Sequence, residues 1–276
     1  MSQAEIVKSR IVDIVRAPSD PRQSHAQDPA HAQRQTLTLT RLPDPAPAAV
    51  ISTFAWNTSP VSVVEEVELP KLIDRRLTVL IDPGSAQARS YRLLRHRLYA
   101  SRDPRVVSVT SAGPGEGKTT CAANLALVLS EETLARVLLV DANLLRPGLA
   151  DLFGFDPADS FMTKLLRNED AAPPYAVASV SGRRLQLAAL HPEATRGKRV
   201  DRALLGEALR ELRRSYDYIV IDAAAVLESG DVNSVCQCSD GVLVAARAGR
   251  TRKSALSRSV DQLQPANVIG TVLIDA

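Results

Sequence analysis

A glycine-rich segment, residues 111–120 with the sequence SAGPGEGKTT, carries the residue types that bind a chain of phosphates. In such a loop the backbone N–H groups point at phosphate oxygens, and glycine allows the close approach of the backbone. The ammonium group of Lys118 would reach the outer phosphates, and the hydroxyl of Thr119 would bind magnesium. The first glycine of the usual G-x-x-x-x-G-K-[ST] pattern is absent, because Ala112 stands five residues before Gly117. The segment predicts binding of a nucleotide through its phosphates.

Two aspartates, Asp141 and Asp222, each follow an apolar run, with the sequences VLLVD over 137–141 and YIVID over 218–222. A metal ion at a phosphate loop needs a nearby carboxylate that holds its water shell. Either aspartate alone could instead cap a helix or close a turn. Two of them at strand ends, in order after a phosphate loop, favour the metal role over capping.

From Arg105 onward, short runs of branched aliphatic residues alternate with stretches of helical character. Strands that are buried on both faces have this composition, and the intervening helices imply right-handed crossovers. We therefore expect an α/β fold with a doubly wound, mainly parallel sheet that binds its ligand at the carboxyl ends of the strands. The predicted strands span 106–110, 137–140, 185–190, 218–221, 242–246 and 268–273.

Residues 1–80 differ in composition from the rest, and we expect a largely irregular, partly disordered N-terminal extension before a nucleotide-binding domain over 81–276. Apolar residues at helical spacing predict a short amphipathic helix over 1–16. Prolines and small polar residues over 17–35 leave little to bury, which predicts disorder there. The alternation over 36–40 is typical of a strand.

Composition and charge exclude several classes of protein. No apolar run approaches the roughly 18 residues that cross a bilayer, and the charged N-terminus lacks the apolar region of a secretory signal. The three cysteines suggest no disulfide framework and fit a reducing compartment. A net charge of +3 gives no argument for nucleic acid. These features predict a cytoplasmic protein without a nucleic-acid partner.

The segment 86–102 carries five arginines and no acidic residue. Tyr91, Leu94 and Leu98 form an apolar stripe along it, which predicts a helix with a basic face. Such a face suits an acidic partner, a neighbouring subunit or anionic lipid. A merely solvated face explains the same pattern equally well.

Four motifs together indicate a family. Residues 114–119 read PGEGKT, 137–147 read VLLVDANLLRP, 216–225 read YDYIVIDAAA and 240–247 read DGVLVAAR. These resemble PGEGK[ST], VLLIDADLRRP, YDYIIIDTPP and DGVLLVVR of the bacterial tyrosine kinases, which partner polysaccharide polymerisation and export machinery. That family lies within the wider partition-ATPase branch of P-loop proteins, and the resemblance covers the chain from about Ser85 onward.

The resemblance implies ATP and Mg²⁺ as cofactors. Lys118 would bind the β- and γ-phosphates, Thr119 would ligate magnesium and Thr120 would touch the α-phosphate, while Asp141 and Asp222 would organise the metal. The positions implied in catalysis are Lys118, Asp141, Asn143 and Asp222. The positions implied in nucleotide binding are Gly113, Pro114, Gly115, Glu116, Gly117, Lys118, Thr119, Thr120 and Arg146.

Departures from the family pattern fall on catalytic positions. Asn143 stands where the second motif has another aspartate, and because an amide accepts no proton, general-base help worth about 10²–10⁴-fold would be lost. Leu145 replaces the first arginine of a pair, and Ala223–Ala225 replace small polar and proline residues. Gly113 stands where partition-type relatives usually carry a second lysine, which favours the kinase-like branch.

The tyrosines and the basic helix also depart from the pattern. The family usually ends in a cluster of acceptor tyrosines, whereas all five tyrosines here precede the last predicted strand. Arginine also stands at Arg89, where the family's E-x-x-R-x-x-R helix has its glutamate, so the ion pairs of that assembly are not expected. Ile274 replaces an asparagine that faces the nucleotide in the family.

The resemblance implies a nucleotide-dependent regulator of exopolysaccharide or capsule polymerisation and export. Its partner would be a membrane polysaccharide co-polymerase of the chain-length type, which would recruit it to the inner face of the membrane. Self-association through 86–102 is a further expectation. The alternatives are a catalytically weak binding module that switches with nucleotide, favoured by Asn143, and a partition-type positioning ATPase, disfavoured by Gly113.

Overall fold

The computed structural model describes residues 11–15, 60–100, 103–131, 135–167 and 173–274. The chain divides into two compact units, one formed by 1–17 with 59–276 and the other by 18–58. The second unit lies outside the described residues.

The first unit is built around one sheet whose nine described strands lie in the order β1-β9-β8-β3-β7-β4-β6-β5-β2. Every neighbouring pair is parallel except β5 and β6, which are antiparallel. The strands are β1 (Ile11–Val15), β2 (Val61–Val67), β3 (Val106–Ser111), β4 (Val137–Ala142), β5 (Tyr175–Val180), β6 (Leu185–Ala188), β7 (Tyr218–Ala223), β8 (Gly241–Arg247) and β9 (Val268–Ile274).

Helices cover both faces of this sheet, as parallel strands with crossover helices require. One apolar cluster packs α1 to α4 against one face, and a second packs α5, α7, α8 and α9 against the other. The described helices are α1 (Thr78–Ile81), α2 (Ala86–Ala100), α3 (Lys118–Leu129), α4 (Leu149–Phe153), α5 (Phe161–Arg167), α6 (Pro192–Thr195), α7 (Arg202–Leu212), α8 (Asp231–Gln237) and α9 (Lys253–Gln262). The predicted doubly wound, mainly parallel α/β fold is confirmed.

The six predicted strands are all present, with ends that differ by one or two residues from the predicted ones. The helix predicted over 1–16 is wrong, because Ile11–Val15 is a strand that pairs in parallel with β9. The sequence does not predict strand β5. The segments 17–35 and 36–40 lie outside the described residues.

The predicted division near residue 80 stays a prediction. Within the predicted extension, Val61–Val67 lies in the sheet beside β5, and Val67 is buried. None of the described helices is long and apolar enough to cross a membrane.

The basic helix is present as α2, and two of its arginines make contacts at the end of α3. Arg92 forms an ion pair with Glu131, whose carboxylate also lies 3.4 Å from Arg95. Arg95 further donates to the carbonyl of Val128 near the end of α3. These contacts attach α2 to α3, so the two guanidinium groups serve the packing of the domain.

Candidate functional site

The glycine-rich loop lies between β3 and α3, at the carboxyl edge of the sheet and in its centre. Two positive φ angles shape it, 69° at Gly115 and 87° at Gly117, the residue that precedes α3. The loop after β7 supports its base, because Val226 N–H donates to the Ser111 carbonyl and Leu227 N–H to that of Ala112. The N-terminus of α3 therefore points into the loop, where helix ends attract anions.

Lys118 and Thr119 form the first turn of α3. Lys118 is only 9% exposed, and the positive charge of its ammonium group favours the ionised form of Asp222. Thr119 donates its hydroxyl hydrogen to Asp222 Oδ2 at 2.7 Å. The predicted lysine, threonine and aspartate thus meet at one point.

Gly117 and Gly113 differ in how well the loop would tolerate a side chain, and one alanine variant at each position tests this difference. A Cβ at Gly117 would lie 2.6 Å from Ile274 Cδ1 and would also face a positive φ, whereas a Cβ at Gly113 would meet Glu116 Oε1 at an ordinary 3.7 Å. We expect Gly117→Ala to lower the free energy of unfolding by about 1–2 kcal/mol, because alanine disfavours the left-handed region. Gly113→Ala should change it by less than about 0.5 kcal/mol. Urea unfolding of both variants checks this, and equal losses would contradict it.

Asp222 lies at the end of β7 and is completely buried. Its second oxygen, Oδ1, has no hydrogen-bond partner in the described part of the chain. A buried carboxylate oxygen without a partner is costly, so it indicates a ligand that the protein is built to receive. A hydrated Mg²⁺ beside the Thr119 hydroxyl would supply the missing donor, and these residues therefore fit the metal that the motifs imply.

Asp141 ends β4, directly across from Asp222 on the neighbouring strand. Its Oδ2 accepts the N–H groups of Gly148 at 2.9 Å and Leu149 at 3.2 Å, and its Oδ1 accepts that of Asn143 at 3.1 Å. The carboxylate therefore caps the start of α4. That Asp141 helps to bind a metal stays a prediction. If it does, the same carboxylate would keep its hydrogen bonds to the start of α4.

The two buried carboxylates influence each other. Burial, followed by repulsion from Asp222, raises the pKa of Asp141, and three backbone N–H groups act in the opposite direction. Burial also raises the pKa of Asp222, while Lys118 and the Thr119 hydroxyl act against it. Two carboxylates and one lysine leave this site with a net negative charge when both aspartates are ionised. Such a site favours binding of a cation.

Asn143 is 3% exposed and follows Asp141 in the loop after β4. Its side-chain N–H donates to the Arg146 carbonyl at 2.6 Å, so the amide closes this loop on itself. Arg146 itself is exposed and lies 3.9 Å from Glu228 in the loop after β7. An asparagine is needed for the donor bond, which a carboxylate cannot make.

The predicted site residues lie together at this edge of the sheet, on the loop between β3 and α3 and on the loops after β4 and β7. They are Gly113, Pro114, Gly115, Glu116, Gly117, Lys118, Thr119, Thr120, Asp141, Asn143, Arg146 and Asp222. Their roles toward a nucleotide stay predictions.

Two residues that contribute to the candidate site, Gly148 and Thr251, are not predicted from the sequence. Gly148 places its N–H on Asp141, and a Cβ there would lie 3.5 Å from the Thr119 methyl group. Gly148 is the N-cap of α4, a position where glycine is one of the favoured residues, and this is the signal that could have found it. Thr251, after β8, donates to Glu116 at 2.7 Å, and no local pattern points to a contact so far away in sequence.

None of the five tyrosines is exposed. Tyr91, Tyr175 and Tyr216 are buried, and the Tyr218 hydroxyl donates to Asp103 at 3.0 Å. The ring of Tyr99 contacts that of Tyr218, with centroids 5.6 Å apart. These side chains serve packing within the domain.

The chain is similar in sequence and in structure to known proteins. The tyrosine-protein kinase YwqD of Bacillus subtilis is 27% identical over 195 residues, which cover 69% of this chain and 81% of YwqD. The crystal structure of the VpsO kinase domain is 29% identical with a TM-score of 0.58, over 73% of this chain and 96% of that domain. The chain is related to the bacterial tyrosine kinases. The resemblance that the motifs carry is confirmed, although no protein-family model matches the chain.

Another relative is much longer than the chain. The succinoglycan biosynthesis transport protein ExoP of Rhizobium meliloti is 27% identical over 220 residues, which cover 76% of this chain and only 28% of ExoP. The chain thus corresponds to about a quarter of that relative and to most of YwqD.

Proposed function

We propose that this chain binds ATP with Mg²⁺ and acts as a bacterial tyrosine kinase that regulates exopolysaccharide or capsule assembly. The single observation that carries the proposal is the buried Asp222 carboxylate, bonded to Thr119 on one oxygen and without a partner on the other within the described residues. Near this carboxylate, Lys118 is the first residue of α3, the helix whose N-terminus would bind the phosphates.

The chain's own residues would bind the nucleotide phosphates and the magnesium. Backbone N–H groups of the loop and the ammonium group of Lys118 would orient the phosphates and stabilise their charge. Thr119 and Asp222 would hold the magnesium. Bound magnesium would supply a positive charge that stabilises the transferring phosphoryl group. Asp141 would fix the loop after β4 through its bonds to Gly148 and Leu149.

The acceptor would be a tyrosine of another protein. The chain's own tyrosines are buried or packed against one another, and Tyr175 lies on β5, four strands away from β3 in the sheet. The relation to ExoP, a transport protein of succinoglycan biosynthesis, favours a membrane polysaccharide co-polymerase as the partner. Such a partner would recruit the chain to the cytoplasmic face of the membrane.

A second candidate function is a nucleotide-dependent switch without phosphoryl transfer. Asn143 favours it, because the amide that closes the loop onto Arg146 leaves no second carboxylate at this point. A partition-type positioning ATPase is a third candidate, and Gly113 in place of a lysine argues against it.

Incubation with γ-labelled ATP, Mg²⁺ and a synthetic glutamate–tyrosine copolymer separates these functions. Label on tyrosine is the expected result. Free phosphate alone would favour an ATPase, and binding without turnover would favour the switch. A Lys118→Ala variant serves as the background control in every assay.

Asn143→Asp is expected to have two opposite effects. A carboxylate cannot donate to the Arg146 carbonyl, so the free energy of unfolding should fall by about 1–3 kcal/mol. If general-base help limits turnover, ATP hydrolysis should rise by about tenfold or more, because the carboxylate accepts a proton. Asn143→Ala is the matched control, since it loses the same bond and gains no base. Equal turnover in the two variants would contradict the argument.

A further inference from the structure

A chain of hydrogen bonds joins the phosphate loop to the segment that follows β8. The Arg247 N–H donates to Thr251 Oγ1 at 2.8 Å, and the Thr251 hydroxyl donates to Glu116 Oε1 at 2.7 Å. The other carboxylate oxygen of Glu116 accepts the Gly113 N–H at 2.9 Å. Glu116 therefore reaches back across the loop to Gly113 and is held from outside by Thr251.

A carboxylate is an unexpected group inside a loop that binds anions. Its charge repels phosphate, and at short range this repulsion is appreciable even with partial solvent screening. Glu116 is only 7% exposed, so its carboxylate stays beside the loop and does not swing into water. The two hydrogen bonds indicate what it supplies, which is a fixed loop conformation.

The same segment covers the outside of the loop. The guanidinium group of Arg250 lies about 3.5 Å from the position that a Cβ would occupy on Gly115. The Arg247 side chain also approaches the Gly115 carbonyl, at 3.5 Å. These two cations therefore lie against Gly115, where the loop has a positive φ.

We propose that Thr251 and Glu116 are positioning residues that preform the phosphate loop for nucleotide. Because the loop already has its final conformation before the nucleotide arrives, binding does not lose the entropy of ordering the loop. Thr251 acts only through Glu116 and touches no phosphate itself. This inference rests on the proposed nucleotide function of the loop.

The test compares Thr251→Val with Thr251→Ser, because valine matches threonine in shape and serine keeps the hydroxyl. The fluorescent nucleotide N-methylanthraniloyl-ATP, with Mg²⁺, reports the dissociation constant in the full chain. We expect Thr251→Val to weaken binding about tenfold, as the loss of the hydrogen bond to the charged Glu116 implies, and Thr251→Ser to restore it. Hydrogen exchange of the Gly113 amide in the nucleotide-free chain should be faster by a similar factor in Thr251→Val alone.

A double variant separates positioning from general destabilisation. In a Glu116→Ala background, Thr251→Val should weaken binding no further, because Thr251 acts on the phosphate loop only through Glu116. Additive losses, or unchanged affinity and exchange in Thr251→Val, would overturn the inference while the proposed function stands. If the unaltered chain binds no nucleotide, the proposed function and this inference both fail.

Discussion

Lys118→Ala is expected to weaken binding of Mg²⁺-ATP by about a hundredfold, since a charged group loses its hydrogen bonds to phosphate in a partly desolvated site. Lys118 is 9% exposed and begins the helix whose N-terminus faces the loop. Its ammonium group also stabilises the ionised form of Asp222, so the variant loses positive charge beside two buried carboxylates. Isothermal titration calorimetry measures the change in affinity.

The matched control is Lys71→Ala, which removes an exposed lysine outside the site. This variant should bind nucleotide as the unaltered chain does. Circular dichroism should show the same secondary structure in both variants. Unchanged affinity in Lys118→Ala would mean that the loop between β3 and α3 is not the phosphate site.

Asp222→Asn is expected to stabilise the nucleotide-free chain and to remove the magnesium dependence of binding. The carboxylate is completely buried and faces Asp141 on the adjacent strand. A neutral amide removes that repulsion and can still accept the Thr119 hydroxyl, so the free energy of unfolding at neutral pH should rise by about 1–2 kcal/mol. Nucleotide affinity in the presence of Mg²⁺ should fall at least about tenfold, because the metal loses a carboxylate.

The pH dependence of stability checks the physical cause of this effect. Burial raises the pKa of both Asp141 and Asp222 above the usual aspartate value, and repulsion from Asp222 raises that of Asp141 further, so the folded chain binds more protons than the unfolded chain. In the absence of Mg²⁺, the stability from these groups is fully present below about pH 4 and is lost as the pH rises toward neutrality.

Urea unfolding of Asp222→Asn and of the unaltered chain, at several pH values between about 4 and 8, measures the difference. The difference in unfolding free energy should grow as the pH rises, because only the unaltered chain must ionise both carboxylates. A constant difference across this range would show that ionisation of the buried Asp222 carboxylate is not the cause. Asp217→Asn, which alters a partly exposed aspartate near the start of β7, is the control.

The sheet was predictable where composition decides the structure. Strands such as β3 and β4 are buried at every position, and their runs of branched aliphatic residues carry that signal. The strand β5 lacks such a run, because Tyr175–Val180 mixes alanine and serine with larger residues and pairs with both β6 and β2. The strand Ile11–Val15 has apolar spacing that a helix also satisfies, and only its pairing with β9 decides between them.

The site was predictable as a set of residues and not as a set of contacts. Strand ends place Asp141 and Asp222 side by side, as the motifs implied. Periodicity cannot show that Asp141 caps α4, that Asn143 donates to Arg146, or that Thr251 reaches Glu116. These bonds depend on loop conformations that tertiary structure sets.

The central claim is that the loop between β3 and α3 binds ATP through Mg²⁺. Calorimetric titration of the unaltered chain with ATP, once with Mg²⁺ and once with a chelator, tests it most directly. We expect one nucleotide per chain with Mg²⁺ and at least about tenfold weaker binding with the chelator, because Thr119 and Asp222 then have no metal to hold. Equal affinity under both conditions, or no binding with Mg²⁺, would contradict it.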